Sequence, residues 1–273
     1  MNEQYKKQVA LLIRIMPSVY RIQDFAVHGG TAINLFIKNM PRYSVDIDIT
    51  YIPVLGREES LREINFHLVE LKQMIEKTIP GIKVTHKSNV WKLLCIKDGA
   101  TVKIEVNGTK RGIFGSVEDK SLCTKAKEEF KMDCKARIVS FTQLYGGKIS
   151  AALKSLQPNP IDQQDALQGQ FEGMTDIPFL YKDYEMTRKE LIEMVNRIFT
   201  KEDREFLISF EQGVPEWNKC CAGDLSTYPS IKWKLQNIMK LKGINPEKHN
   251  KGMEKLREYL HPRTICPYES TNF

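Results

Sequence analysis

Paired cysteines are missing from this chain. Its six cysteines, at 95, 123, 134, 220, 221 and 266, form no Cys-x-x-Cys pair, and its five histidines are scattered. That usage speaks against a zinc site and against a disulfide framework; reduced thiols in a cytoplasmic protein are the expectation. No apolar run approaches the ~20 residues of a membrane-crossing helix, so no membrane partner is expected. The opening Met1-Asn2-Glu3-Gln4-Tyr5-Lys6-Lys7 is polar and leads into no signal-type apolar core with a cleavage site. Internal repeats and low-complexity tracts are also lacking, which sets aside solenoid and disordered architectures. What remains is an ordinary globular composition, 41% hydrophobic and 27% charged over 273 residues. That length is enough for about two domains, each with a sizeable core.

The most informative residues stand between Arg42 and Thr50. Val45, Ile47 and Ile49 alternate with Ser44, Asp46 and Asp48, the period of a strand with one buried face. Two carboxylates at i and i+2 point the same way, with Cα atoms about 6–7 Å apart, close enough to share a divalent cation. Aspartate is depleted in strands, so two on one short strand call for a reason. Taken alone, the pair also suits the solvated face of an edge strand.

Upstream, Phe25-Ala26-Val27-His28-Gly29-Gly30-Thr31 reads as a short apolar strand and a tight glycine turn entering a helix. Glycines there let backbone N–H groups approach an anion, and a helix N-terminus favours negative charge. Before an Asp-x-Asp strand, that turn becomes a candidate triphosphate cradle. His28 itself, at the end of a buried strand, reads as structural. Downstream, Val102, Ile104 and Val106 alternate with Lys103 and Glu105. If the two strands are neighbours, Glu105 joins the aspartates as a third carboxylate, a set suited to two-metal nucleotidyl transfer.

The remaining periodicity separates two halves. Ser60-Leu61-Arg62-Glu63 reads as a capping box opening a helix with Ile64, Leu68, Leu71 and Ile75 on one stripe. Residues 81–86 and 91–96 read as strands, and Lys97-Asp98-Gly99 as a hairpin turn. Beyond about residue 136 strand patterns vanish. Helix starts are expected at Ser140, Thr187 and Thr200, and a helix end at Gly243. The expectation is an α/β (α+β) domain with a mixed sheet over 1–135, followed by an all-α helical bundle over 136–273. Trp91, Trp217 and Trp233 are expected to pack in cores or between domains.

His28-Gly29-Gly30-Thr31, then Arg42-Tyr43-Ser44-Val45-Asp46-Ile47-Asp48, then Lys103-Ile104-Glu105-Val106 together resemble the AbiEii-type abortive-infection toxins, nucleotidyltransferase-like proteins of the polymerase-β-like superfamily. Leu144-Tyr145-Gly146-Gly147-Lys148-Ile149 is similar to that family's lysine-bearing helix. Phe171-Glu172-Gly173-Met174-Thr175, the 206–210 segment and Trp233-Lys234-Leu235 are similar to its later landmarks. The resemblance implies catalytic and metal-binding roles for Asp46, Asp48 and Glu105, with Mg²⁺ or Mn²⁺ as cofactor. It implies nucleotide binding by Gly29, Gly30, Thr31, Ser44 and Lys148. It further implies a nucleoside triphosphate substrate, an RNA acceptor such as a transfer-RNA 3′ end, and a cognate antitoxin protein. One departure stands out: the family's Arg-Asp-x-x-Asp segment has no counterpart, since Asp162-Gln163-Gln164-Asp165 lacks a preceding arginine.

Charge adds a last clue. The chain carries +7, and from Lys232 onward nine Lys/Arg stand against four Glu. Such a tail suits a polynucleotide backbone, or simply a solvated basic helix. Two function classes stay open: a metal-dependent transferase of nucleoside monophosphate, and a degenerate relative that binds nucleotide or nucleic acid without turnover. A glycosyltransferase also uses Asp-x-Asp, but it accounts for neither the glycine pair nor Glu105.

Overall fold

The computed structural model describes residues 3–146 and 184–260. These divide between two compact units, 3–146 with 228–230 in the first and 184–227 with 231–260 in the second.

The first unit is a seven-stranded mixed sheet with helices. In chain order it runs α1 (Glu3–Arg21), β1 (Phe25–His28), α2 (Gly29–Thr31, continuing as a π-helix over Ala32–Ile37), β2 (Asp46–Tyr51) and α3 (Arg57–Thr78). Then come β3 (Lys83–Lys87), β4 (Lys92–Lys97), β5 (Ala100–Val106), β6 (Val117–Ser121), α4 (Thr124–Phe130) and β7 (Lys135–Val139). The strand order is β3-β4-β5-β2-β1-β7-β6. β2 lies parallel to β5 and β1 parallel to β7, while the other neighbours are antiparallel. Helix α1 packs on β5 and β7, and α3 on β3, β4 and α1.

The core beneath these helices is the one that alternation foretells. Ile47, Ile49, Val102, Ile104 and Val106 are buried, as is the α3 stripe Ile64, Leu68, Leu71 and Ile75. The β4–β5 hairpin turns through Asp98 and Gly99, both at positive φ, as a two-residue turn of matching twist requires. Helix α3 begins a turn before the expected capping box. Ser60 is buried inside it, with its N–H bonded to Gly56 and its hydroxyl to the Leu55 carbonyl. The sheet also reaches further than periodicity indicates, because β6 and β7 had no strand signature and β7 runs to Val139.

Every regular element described after Val139 is helical. Ser140 caps the turn that follows β7 through a bond from the Gln143 N–H. In the second unit, Thr200 and Asp203 form a reciprocal capping box opening the helix Lys201–Glu211, at the expected start. Thr187 instead lies inside the helix Tyr184–Ile198, and the Trp233 helix runs past Gly243 to Ile244. Trp217 packs against Phe206 and Phe210. Trp91 is partly buried against the first core. Trp233 departs from expectation, being 59% exposed. No described helix is long and apolar enough to cross a membrane.

Candidate active site

Strand register assembles the site. Asp48 on β2 is paired with His28 on β1 and with Glu105 on β5, and Glu105 is paired in turn with Lys92 on β4. His28, Asp48, Glu105 and Lys92 therefore form one row across four strands, on the face opposite Ile47 and Ile104. The next row holds Asp46 beside Lys103. Glu105 thus comes beside the aspartates, as expected if the two strands are neighbours, with partners within a row about 4.8 Å apart and successive rows about 6–7 Å apart.

The two lysines are partners of the carboxylates. Lys103 Nζ lies 3.4 Å from Asp46 Oδ2 and 3.5 Å from Glu105 Oε2, and Lys92 Nζ lies 3.0 Å from Glu105 Oε1. Partial burial works against the Lys103 charge, but Asp46 and Glu105 together outweigh it and raise the ammonium pKa above its ordinary value. The cation between Asp46 and Glu105 is thus a side-chain ammonium. Lys103 stands two residues before Glu105 in the sequence, and only the β2–β5 register brings it between two carboxylates.

The glycine turn closes over the same place. Gly29 has φ +73°, and a Cβ on it would fall 2.4 Å from Asp48 Oδ2. A Cβ on Gly30 would fall 3.2 Å from Ser44 Oγ, 3.6 Å from Arg42 Nη2 and 3.8 Å from Asn34 Nδ2. Buried Thr31 ties the turn to the start of β2: its hydroxyl lies 2.8 Å from Ser44 Oγ and bonds the Asp46 main-chain oxygen. Gly29, Gly30, Thr31 and Ser44 are therefore brought together with Asp46, Asp48 and Glu105. Lys148 lies outside the described residues. Arg42 and Asn34, to which sequence reading gave no role, also point to Gly30.

Among the described residues, no three His, Cys, Asp or Glu side chains are already gathered around a common point to hold a metal ion. The donor set still suits a hard cation, being all carboxylate and set in register on one face. The Lys103 ammonium lies within 3.5 Å of both Asp46 and Glu105.

A family described as "Nucleotidyl transferase AbiEii toxin, Type IV TA system" matches residues 11–242 of the chain. No curated protein matches it in sequence. Among solved structures, it is similar to "MenT4, nucleotidyltransferase toxin Rv2826c from Mycobacterium tuberculosis H37Rv". That similarity is at 12% identity, covers 95% of this chain and 94% of that one, and has a TM-score of 0.41.

Proposed function

The chain belongs to the AbiEii family of nucleotidyltransferase toxins, and from that premise we propose that it transfers a nucleoside monophosphate from a nucleoside triphosphate to an RNA hydroxyl. The observation that carries this reading is the register of Asp46 with Lys103 and of Asp48 with Glu105, beneath a glycine turn with no side chains. In the reaction an acceptor oxygen bonds to the α-phosphorus, the bond from that phosphorus to the β-bridging oxygen breaks, pyrophosphate leaves with that bond's electron pair, and the hydroxyl proton passes to solvent.

Asp46, Asp48 and Glu105 would hold Mg²⁺ or Mn²⁺, which when bound supplies a Lewis acid for the phosphate oxygens. The protein's own contribution is positioning. The bare backbone of Gly29 and Gly30 lets phosphate oxygens reach main-chain N–H groups, and Thr31 holds that turn against β2. Ser44 and Lys148 complete the cradle in this reading. A cognate antitoxin is the protein partner that membership of the family suggests.

A second reading, binding without turnover, is favoured by one observation: Glu105 is already paired with two ammoniums. One experiment separates the two. Pure protein is incubated with each labelled nucleoside triphosphate, Mg²⁺ and total RNA, beside an Asp46→Ala/Asp48→Ala variant. Transfer of label to RNA by the wild type alone is expected. Metal-dependent nucleotide binding with no labelled product would establish the second reading.

A further inference from the structure

One buried donor at the site lacks an acceptor, and a partly buried cation beside it lacks a counter-charge. Asn34 is 3% exposed, yet its Nδ2 is buried without a hydrogen-bond partner. A buried amide left in that state is destabilising. The Arg42 guanidinium is half-buried, and burial lowers its pKa below the ordinary value with no neighbouring carboxylate to offset it. Partly desolvating a cation without a counter-charge adds to that cost. Both groups converge on one backbone position, with Arg42 Nη2 and Asn34 Nδ2 within 4 Å of the point where Gly30 would carry a Cβ.

We propose that Arg42 and Asn34 form an anion pocket over Gly30 that takes the terminal phosphates of the triphosphate and holds the leaving pyrophosphate. The identity of the anion rests on the nucleotidyl-transfer reading; the pocket itself rests on the unmatched Asn34 amide and the Arg42 guanidinium without a counter-charge, converging on Gly30. A planar guanidinium fork suits a tetrahedral oxyanion, and a neutral amide adds a donor without a second charge. Position is consistent, because the adjacent glycine lies against Asp48. Negative charge accumulates on pyrophosphate as its bond to the α-phosphorus breaks, so donors here act where charge develops.

The test uses tripolyphosphate, which has no nucleoside, titrated calorimetrically into the full chain in EDTA. Binding by the wild type is expected, weakened at least tenfold in Arg42→Ala and several-fold in Asn34→Leu, with Arg42→Lys between. Asp46→Ala/Asp48→Ala should bind as well as the wild type or better, because it removes repulsion and none of the donors. Melting temperature provides an independent readout. Asn34→Leu replaces an unmatched polar group, so it should melt at or above the wild type; a fall would mean that Asn34 serves the fold. No binding by the wild type, or equal binding by both donor variants, overturns the proposal. Absence of nucleotide transfer with tripolyphosphate still bound through Arg42 would instead overturn only the reaction.

Discussion

Gly29 is where backbone conformation and the candidate chemistry meet. Its φ of +73° disfavours any residue with a Cβ, by about 1 kcal/mol for alanine, and the Asp48 carboxylate occupies the space a side chain would need. Gly29→Ala should therefore cost only about 1–2 kcal/mol of stability in a urea melt, while displacing Asp48. Loss of nucleotide transfer well beyond that small destabilisation is the expected result; retained transfer would detach the turn from the site. Individual residues of the site were legible to different degrees. Asp46 and Asp48 stood out as candidates because aspartates at strand positions violate propensity while keeping the two-residue period, whereas Glu105 joined them only on the condition that the two strands are neighbours. Gly29 and Gly30 were legible because they separate a strand from a helix. Arg42 and Asn34 were not, since an arginine before a strand and an asparagine within a helix are unremarkable until folding leaves the amide unmatched and the guanidinium without a counter-charge. Lys103 looked like solvent-face alternation, and only its pairing with Asp46 gives it another meaning.

At the level of elements, the join between α1 and β7 is the least expected part of the fold. Arg137 on β7 is 8% exposed, and its guanidinium donates to the Ile22 carbonyl at 3.0 Å and to Gln23 Oε1 at 2.8 Å, with Tyr20 and Phe25 carbonyls at 3.4 Å. It also lies over the Tyr20 ring. These are acceptors at and just beyond the end of α1, which the helix cannot satisfy itself. Arg137→Ala would remove these charge-assisted bonds from a buried position, while the Ile22 carbonyl keeps the Phe25 N–H and exposed Gln23 meets water, so a loss of about 1.5–3 kcal/mol is expected in urea unfolding. Lysine should rescue only part of it, because a point charge cannot fork to several acceptors. Full rescue by lysine would show that charge alone matters. The same residue explains why β7 escaped periodicity. In Lys135-Ala136-Arg137-Ile138-Val139 the last four are all buried, so no alternation is written there, and a charge interrupts the apolar run. Edge strand β6, Val117-Glu118-Asp119-Lys120-Ser121, hides for the opposite reason: it is polar on both faces, as an edge that must resist pairing can be. Strands β2 and β5, with one face buried and one bearing the site, were legible throughout.

Over the whole molecule, charge is spread less evenly than composition suggests, since much of the +7 falls after Lys232. Lys232, Lys234, Lys240 and Lys242 are all exposed on the helix Pro229–Ile244. At about 100° per residue, Lys242, Lys232 and Lys240 succeed one another at roughly 80° intervals around the helix, while Lys234 lies about 160° from Lys232. Lys242 Nζ donates to the Gln212 carbonyl at 3.0 Å, which leaves Lys232 and Lys240 as the adjacent pair not tied to that carbonyl. On the RNA reading, these two are the lysines that a strand laid along the helix would meet together. Neutralising that pair to glutamine should weaken RNA binding and flatten its logarithmic salt dependence by about 1.4, two phosphate contacts at ~0.7 each. The Lys234/Lys242 pair should have a smaller effect, and nucleotide binding should be unchanged in both variants. Equal slopes in wild type and variants would assign the exposed helix to a protein partner, for which an antitoxin of the opposite charge is the natural candidate.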